Sequence, residues 1–185
     1  MTQLLGALLG LPDDHPQATL TVTGLCSDSR RAVAGDVFFA IRGTAQDAVG
    51  FAPAAAQAGA VAVVSEVAIE GLSVPVVLVP SVRAALSMAA ARFWPRQPAV
   101  VTAVTGTNGK SSTVDYLRQI WAHAGHAAAS VGTLGAIGPS GRIDLGFTTP
   151  DPIALHATLQ ALADEGITHV AMEASSHALD QQRMH

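Results

Sequence analysis

Hydrophobic and polar positions alternate through Thr19-Leu20-Thr21-Val22-Thr23, the period of a half-buried strand, and predict a strand over 19–25. Before it, the apolar run at 4–11 reads as the buried face of a short helix. Val37-Phe38-Phe39-Ala40 follows the Gly35 turn and predicts a second strand over 36–41. An alanine-rich helix over 51–60 ends at Gly59, and Val61-Ala62-Val63-Val64 and 76–79 read as buried strands. Ser81 stands where an N-cap belongs, ahead of a helix to about Trp94. Pro95 and Pro98 close that helix and mark a boundary. The first domain is therefore expected at 1–95 and the second at 96–185.

The second half alternates more regularly. A strand is expected at 99–105, a helix at 111–124, and a strand at 127–131. A loop carrying Gly135, Gly138 and Gly141 then leads to a strand at 142–147. Pro152 suits the first turn of a helix running to Glu165, Gly166 ends it, and Ile167-Thr168-His169-Val170-Ala171-Met172 is a buried strand. The βαβ order implies an α/β fold whose second sheet is largely parallel and covered by helices, with ligands at the carboxyl ends of its strands. So few strands would leave an open apolar edge, and the chain is expected to be cut short.

Composition narrows the choice. Of the 185 residues, 49% are hydrophobic and only 13% charged, so a substantial core is expected. The net charge of −4, with no basic stripe, argues against a nucleic-acid partner. Cys26 is the only cysteine, which excludes an internal disulfide and fits a reducing compartment; it reads as a strand thiol, not a nucleophile. The run at 4–11 lacks a positive flank and is too short to span a membrane, so a cytoplasmic protein is expected.

The richest chemistry lies in Thr105-Gly106-Thr107-Asn108-Gly109-Lys110-Ser111-Ser112, between a predicted strand and a predicted helix. Glycines let the backbone turn its N–H groups inward, and the new helix offers unpaired donors and a positive dipole end. Lys110 supplies a charge for the outer phosphates of ATP, and the Ser111 hydroxyl can hold Mg²⁺. The spacing is shorter than the common G-x-x-x-x-G-K-[ST] loop. Glu173 comes directly after a buried strand, where a carboxylate can bind Mg²⁺ beside a triphosphate. His177 fits a structural hydrogen bond as well as metal ligation. Phe147-Thr148-Thr149-Pro150-Asp151-Pro152 taken alone is a turn and helix cap whose hydroxyls could also meet a sugar or phosphate. Ser27-Asp28-Ser29-Arg30 suits a nucleotide or diphosphate, and Gly43-Thr44-Ala45-Gln46-Asp47 is similar; both also make ordinary turns.

Together these segments resemble the Mur ligases of peptidoglycan synthesis, most closely the MurE type. Four blocks carry the likeness: Asp28-Ser29-Arg30 with Gly35-Asp36-Val37-Phe38; Gly106-Thr107-Asn108-Gly109-Lys110; Thr148-Thr149-Pro150-Asp151; and Met172-Glu173-Ala174-Ser175-Ser176-His177-Ala178-Leu179 continuing to Gln181 and Arg183. The last block is the most specific. The MurF type shares the first block but differs near Glu173, and the folate-polyglutamate synthetases share the glycine loop without the first-half motif. The resemblance implies an ATP-dependent amide ligase. The free carboxylate of UDP-MurNAc-L-Ala-D-Glu becomes an acyl phosphate, which the amine of meso-diaminopimelate or L-lysine attacks. It implies a UDP-binding first domain and the first part of a P-loop ATPase-like second domain, in a cytoplasmic monomer.

Residue by residue, the resemblance assigns UDP-substrate contacts to Ser27, Ser29, Thr44, Ala45 and Gln46. It assigns the sugar–peptide part to Thr148, Thr149, Ser175, Gln181 and Arg183. ATP falls to Gly106, Thr107, Asn108, Gly109, Lys110, Ser111 and Ser112, magnesium to Ser111 and Glu173, and catalysis to Lys110 and Glu173. Ser111-Ser112 stand where threonines are usual, and Phe147 where some members carry a polar residue. The family's carbamylated lysine, a later metal-site histidine and the C-terminal domain that receives the amino acid are expected beyond His185. The implied chain is an N-terminal piece with little or no turnover of its own. Two rival readings stay open: a non-catalytic UDP-sugar or nucleotide-binding remnant, and a stand-alone P-loop ATPase.

Overall fold

The computed structural model describes residues 1–42, 48–143 and 149–184. The chain forms two compact units, Met1–Phe93 and Trp94–His185, each with its own sheet and core.

The first unit opens with strand β1 (Gln3–Leu4), helix α1 (Leu5–Leu9) and strand β2 (Thr21–Val22), which pairs antiparallel with β1. Strands β3 (Gly24–Cys26), β4 (Asp36–Phe39), β5 (Ala62–Ser65) and β6 (Val76–Leu78) make a separate, wholly parallel sheet in that order. Helix α2 (Ala52–Gln57) follows a 3₁₀ turn at Ala48–Phe51, and α3 (Val82–Phe93) completes the unit. Its N-cap is the expected one: Ser81 Oγ accepts from the Ala84 N–H at 3.2 Å. Phe38, Ala52, Ala55 and Val63 form a buried cluster between α2 and the sheet.

The alternating segment at 19–25 is not one strand. It divides at Thr23, whose N–H donates to the Gly35 carbonyl at 2.9 Å, and its two halves belong to different sheets. Alternation reports which side chains face a core, and that pattern is the same whether one sheet or two supply the core. The helix expected at 51–60 is shorter at its C-terminal end: α2 stops at Gln57, before Gly59, and the 3₁₀ turn at Ala48–Phe51 precedes it.

The second unit contains β7 (Val100–Val104), α4 (Lys110–His123), β8 (Ala128–Gly132), β9 (Gly135–Gly138), β10 (Gly141–Ile143), α5 (Pro152–Asp164), β11 (His169–Glu173) and α6 (Ser176–Asp180). The sheet order is β10-β9-β8-β11-β7, with β8, β11 and β7 parallel. Leu155, Leu159 and Leu162 fall at i, i+4 and i+7 on α5 and pack against Ala129, Val131, Val170 and Met172. Each such leucine contributes about 1.5–3 kcal/mol by leaving water. Asp151 caps α5 by accepting from the Ala154 N–H at 3.0 Å, with Pro152 in the first turn as expected.

Here too the sequence reading needs correction. Gly135–Gly138 is a strand, not a loop, and it pairs antiparallel with both β8 and β10. Two-residue turns join these strands, Thr133-Leu134 and then Pro139-Ser140; each ends on a glycine with positive φ, Gly135 at 87° and Gly141 at 117°. Glycine's poor strand propensity is overridden by this pairing. Of the strand expected at 142–147, residues up to Ile143 are seen in β10, and 144–147 lie outside the described residues. β7 lies at the edge of the sheet, and Val100 and Val101 are exposed. Among the described residues, no helix is long and apolar enough to cross a membrane.

Candidate functional site

The glycine loop leaves β7 at its carboxyl end and turns into α4. Gly106 (φ 144°) and Gly109 (φ 82°) both occupy backbone regions that disfavour a side chain, and Gly109 has open space around it. Its requirement is conformational. Gly109 is the N-cap of α4 and offers no side-chain cap, so the first N–H groups of the helix are open to an incoming anion. Thr107, Asn108 and Ser112 are exposed around this turn. The Lys110 ammonium donates to the Gly106 carbonyl at 2.7 Å and reaches the Thr107 carbonyl at 3.5 Å.

Glu173 is the last residue of β11 and pairs in register with Val104 of β7. The two neighbouring parallel strands thus deliver the carboxylate and the loop to the same sheet end, as the sequence argument required. Glu173 is only 3% exposed. Its Oε1 accepts from the Ser111 hydroxyl at 2.9 Å and from the Thr133 N–H at 2.9 Å, and its Oε2 lies 3.4 Å from the Thr133 hydroxyl. Thr133 and its neighbour Gly132 were not anticipated from sequence. A Cβ at Gly132 would collide with Oε1 and lie 2.7 Å from the Glu173 Cγ and Cδ. The available signal was a Gly-Thr pair just after a buried strand, at the sheet end that already held the loop.

A second group of expected residues forms one connected network. Thr149 is 2% exposed; its hydroxyl donates to the Glu173 carbonyl at 2.9 Å and accepts from the Ser175 N–H at 3.2 Å. Ser175 Oγ caps α6 by accepting from the Ala178 N–H. Arg183 donates from Nη1 to the Thr149 carbonyl at 2.8 Å, and from Nε and Nη2 to Gln181 Oε1 at 3.1 and 2.6 Å. Thr148 and Phe147 lie outside the described residues, and His177 is exposed on α6.

The first unit has its own cleft of about 690 Å³, lined by Ser27, Asp28, Ser29 and Arg30 together with Phe51 and the buried Phe38. Its polar groups suit a phosphate or hydroxyl, and the exposed Phe51 ring suits a flat ring. Phe51 was not anticipated. Arg30 grips Asp28 with two bonds, Nε to Oδ1 at 2.9 Å and Nη2 to Oδ2 at 2.7 Å. That guanidinium holds the Asp28 carboxyl down to about 2. Cys26 is buried beneath, its thiol donating to the Asp28 carbonyl at 3.0 Å, and burial pushes the thiol above its ordinary value. Thr44, Ala45 and Gln46 lie outside the described residues.

For magnesium, Ser111 and Glu173 offer only oxygen donors, a hydroxyl and a buried carboxylate, beside a loop built for phosphates. That set fits a hard cation that keeps waters and shares phosphate oxygens. No cluster of three or more histidine, cysteine or acidic side chains able to hold a metal occurs among the described residues.

A glycine loop and a carboxylate on adjoining parallel strand ends of an α/β sheet form an arrangement that nucleotide-binding folds use. Residues 104–185 match the Mur ligase middle domain. That segment and the relatives that follow carry the chain's likeness to the Mur ligases. The chain is 52% identical over 167 residues to the UDP-N-acetylmuramoyl-L-alanyl-D-glutamate--2,6-diaminopimelate ligase of Bradyrhizobium diazoefficiens, covering 90% of this chain and 34% of that protein. The ligase of the same name from Agrobacterium fabrum is 53% identical over 166 residues, covering 89% of this chain and 34% of that protein. A solved structure of a ligase of this name superposes with a TM-score of 0.85 at 28% identity, covering 99% of this chain and 38% of that one. The chain thus spans about a third of the length of the curated relatives it matches.

Proposed function

We propose that this chain carries the UDP-substrate and nucleotide-phosphate sites of an ATP-dependent amide ligase. In that reading the ligase joins a diamino acid, meso-diaminopimelate or L-lysine, to UDP-MurNAc-L-Ala-D-Glu in peptidoglycan synthesis. The observation that carries it is Glu173 bonded to Ser111 at 2.9 Å, on the strand end beside the Gly106–Lys110 turn. ATP supplies the phosphoryl group that turns a poor electrophile, the dipeptide's free carboxylate, into an acyl phosphate. The amides of Thr107, Asn108 and Gly109 and the start of α4 cradle the phosphates, and Lys110 exchanges its two carbonyl acceptors for phosphate oxygens. Gly106 allows the turn, and Ser111 and Glu173 hold Mg²⁺ with Ser112 at the helix start. Ser27 and Ser29, with Thr44, Ala45 and Gln46, bind the UDP part.

Thr149, Ser175, Gln181 and Arg183 have much of their hydrogen-bonding capacity engaged within the protein. Their part in holding the sugar–peptide is therefore read chiefly as shaping the surface, and Thr148 is assigned to the same ligand. Likeness to ligases named for diaminopimelate supports that amino acid over lysine in this reading. The protein is read as a cytoplasmic monomer.

The test is calorimetric titration of the 185-residue chain with ADP and Mg²⁺ and, separately, with UDP-MurNAc-L-Ala-D-Glu. Saturable binding of both is expected. Binding of ADP without the UDP-dipeptide would leave a plain nucleotide-binding protein, and binding of neither would end the reading.

A further inference from the structure

We propose that Gly132 and Thr133, at the carboxyl end of β8, are positioning residues that aim the Glu173 carboxylate at the cation of a bound nucleotide; this rests on the nucleotide reading above. The argument begins with space. β8 and β11 are adjacent and parallel, with Val131 opposite Met172, so the next residue of each strand brings Gly132 beside Glu173. Gly132 does not have the positive φ that would call for glycine on conformational grounds. What it lacks is room: a Cβ there would overlap the carboxylate itself. The position is glycine so that a buried carboxylate can lie flat against the backbone.

The second step is direction. The tight turn Thr133-Leu134 points the Thr133 N–H at Oε1, which also receives the Ser111 hydroxyl, both at 2.9 Å. Two donors on one oxygen fix the plane of the carboxyl group. Among the described residues Oε2 has only the 3.4 Å approach of the Thr133 hydroxyl, so it is the oxygen offered to a cation. The side chain is held from three separate segments, α4, the β8–β9 turn and β11, before any ligand arrives. Such preorganisation spares the bound state the cost of ordering a mobile carboxylate.

The experiment measures the ratio of ADP dissociation constants without and with Mg²⁺, by calorimetry on the 185-residue chain. Wild type is expected to show a clear tightening by Mg²⁺. Gly132→Ala is expected to lose at least fivefold of that ratio. In a Glu173→Gln background the same substitution should remove nothing further, whereas a merely structural effect would add its own loss. Full tightening in Gly132→Ala, or an additive loss in the double variant, overturns the proposal.

Should Gly132→Ala fail to fold by circular dichroism, Thr133→Val decides. It keeps the amide and loses the hydroxyl, so a twofold to threefold drop is expected in wild type and none beside Glu173→Gln, while an unchanged ratio in both overturns the proposal. A wild-type chain indifferent to Mg²⁺ overturns the nucleotide reading and the proposal together; a responsive wild type with an equally responsive variant overturns the proposal alone.

Discussion

The Ser111 hydroxyl donates to Glu173 Oε1 at 2.9 Å, joining the first turn of one helix to the end of a strand 62 positions later. Removing a donor from a buried carboxylate leaves charge less well compensated, which costs about 1–3 kcal/mol. Ser111→Ala is therefore expected to lower the urea-unfolding free energy by about 1–2 kcal/mol, since the Thr133 amide still serves the same oxygen. Equilibrium denaturation checks this, and no change in midpoint would count against the bond.

Lys110 contacts only loop carbonyls at the surface, so its removal should spare the fold. Under the nucleotide reading, Lys110→Ala forfeits a charge-assisted contact of about 1.5–3 kcal/mol, roughly a tenfold to hundredfold loss of ADP affinity. Calorimetry gives the affinity and a thermal melt the fold. Equal ADP binding by the variant would refute the role given to this lysine.

Thr149 sits at the junction of three segments, with its hydroxyl between the Glu173 carbonyl and the Ser175 amide. Thr149→Val keeps the shape and leaves a buried amide without that acceptor, at an expected cost of about 1–3 kcal/mol. The same change should loosen α6, visible as faster amide exchange at Ala178 and Leu179. A variant as stable and as protected as wild type would contradict this.

His156 on α5 is 5% exposed. Its Nδ1 lies 2.8 Å from the Gln97 amide nitrogen, and its Nε2 has no partner among the described residues. With the amide donating, Nδ1 is the acceptor and the ring is neutral. Burial lowers the ring's pKa below its ordinary 6.5. The unfolded chain then binds more protons than the native one below about pH 6.5, so stability is full above that value and declines as the pH falls towards the native pKa. His156→Phe should flatten this part of the pH–stability curve below about pH 6.5. A variant with the same slope as wild type would mean that other groups set it.

The strand end that carries Glu173 and the glycine loop was largely legible because its signals are local. A glycine-rich turn between strand and helix, and a carboxylate closing a buried strand, each declare themselves within a few residues. The parallel register of Glu173 with Val104 then follows from βαβ logic. Gly132 and Thr133 were hidden because their relation to Glu173 depends on which strands neighbour each other across 40 positions. The hairpin at Gly135–Gly138 was hidden by its glycines, which look like loop until pairing is known. The divided segment at Thr23 was hidden because alternation does not distinguish one sheet from two.

The strand orders of the two units have different consequences for a chain emerging from synthesis. In the parallel sheet of the first unit every strand lies beside the next one in sequence, so it can be laid down in the order it is made. The second unit cannot be built that way. Among the described residues, His169–Glu173 is the strand that joins Val100–Val104 to Ala128–Gly132, and it follows both in sequence. Until residue 169 has left the ribosome, the glycine loop hangs from a strand whose described neighbour has not yet been made. The non-local contact that docks this strand also brings Glu173 to Ser111 and Thr133, so strand pairing and the assembly of the carboxylate's surroundings are one event.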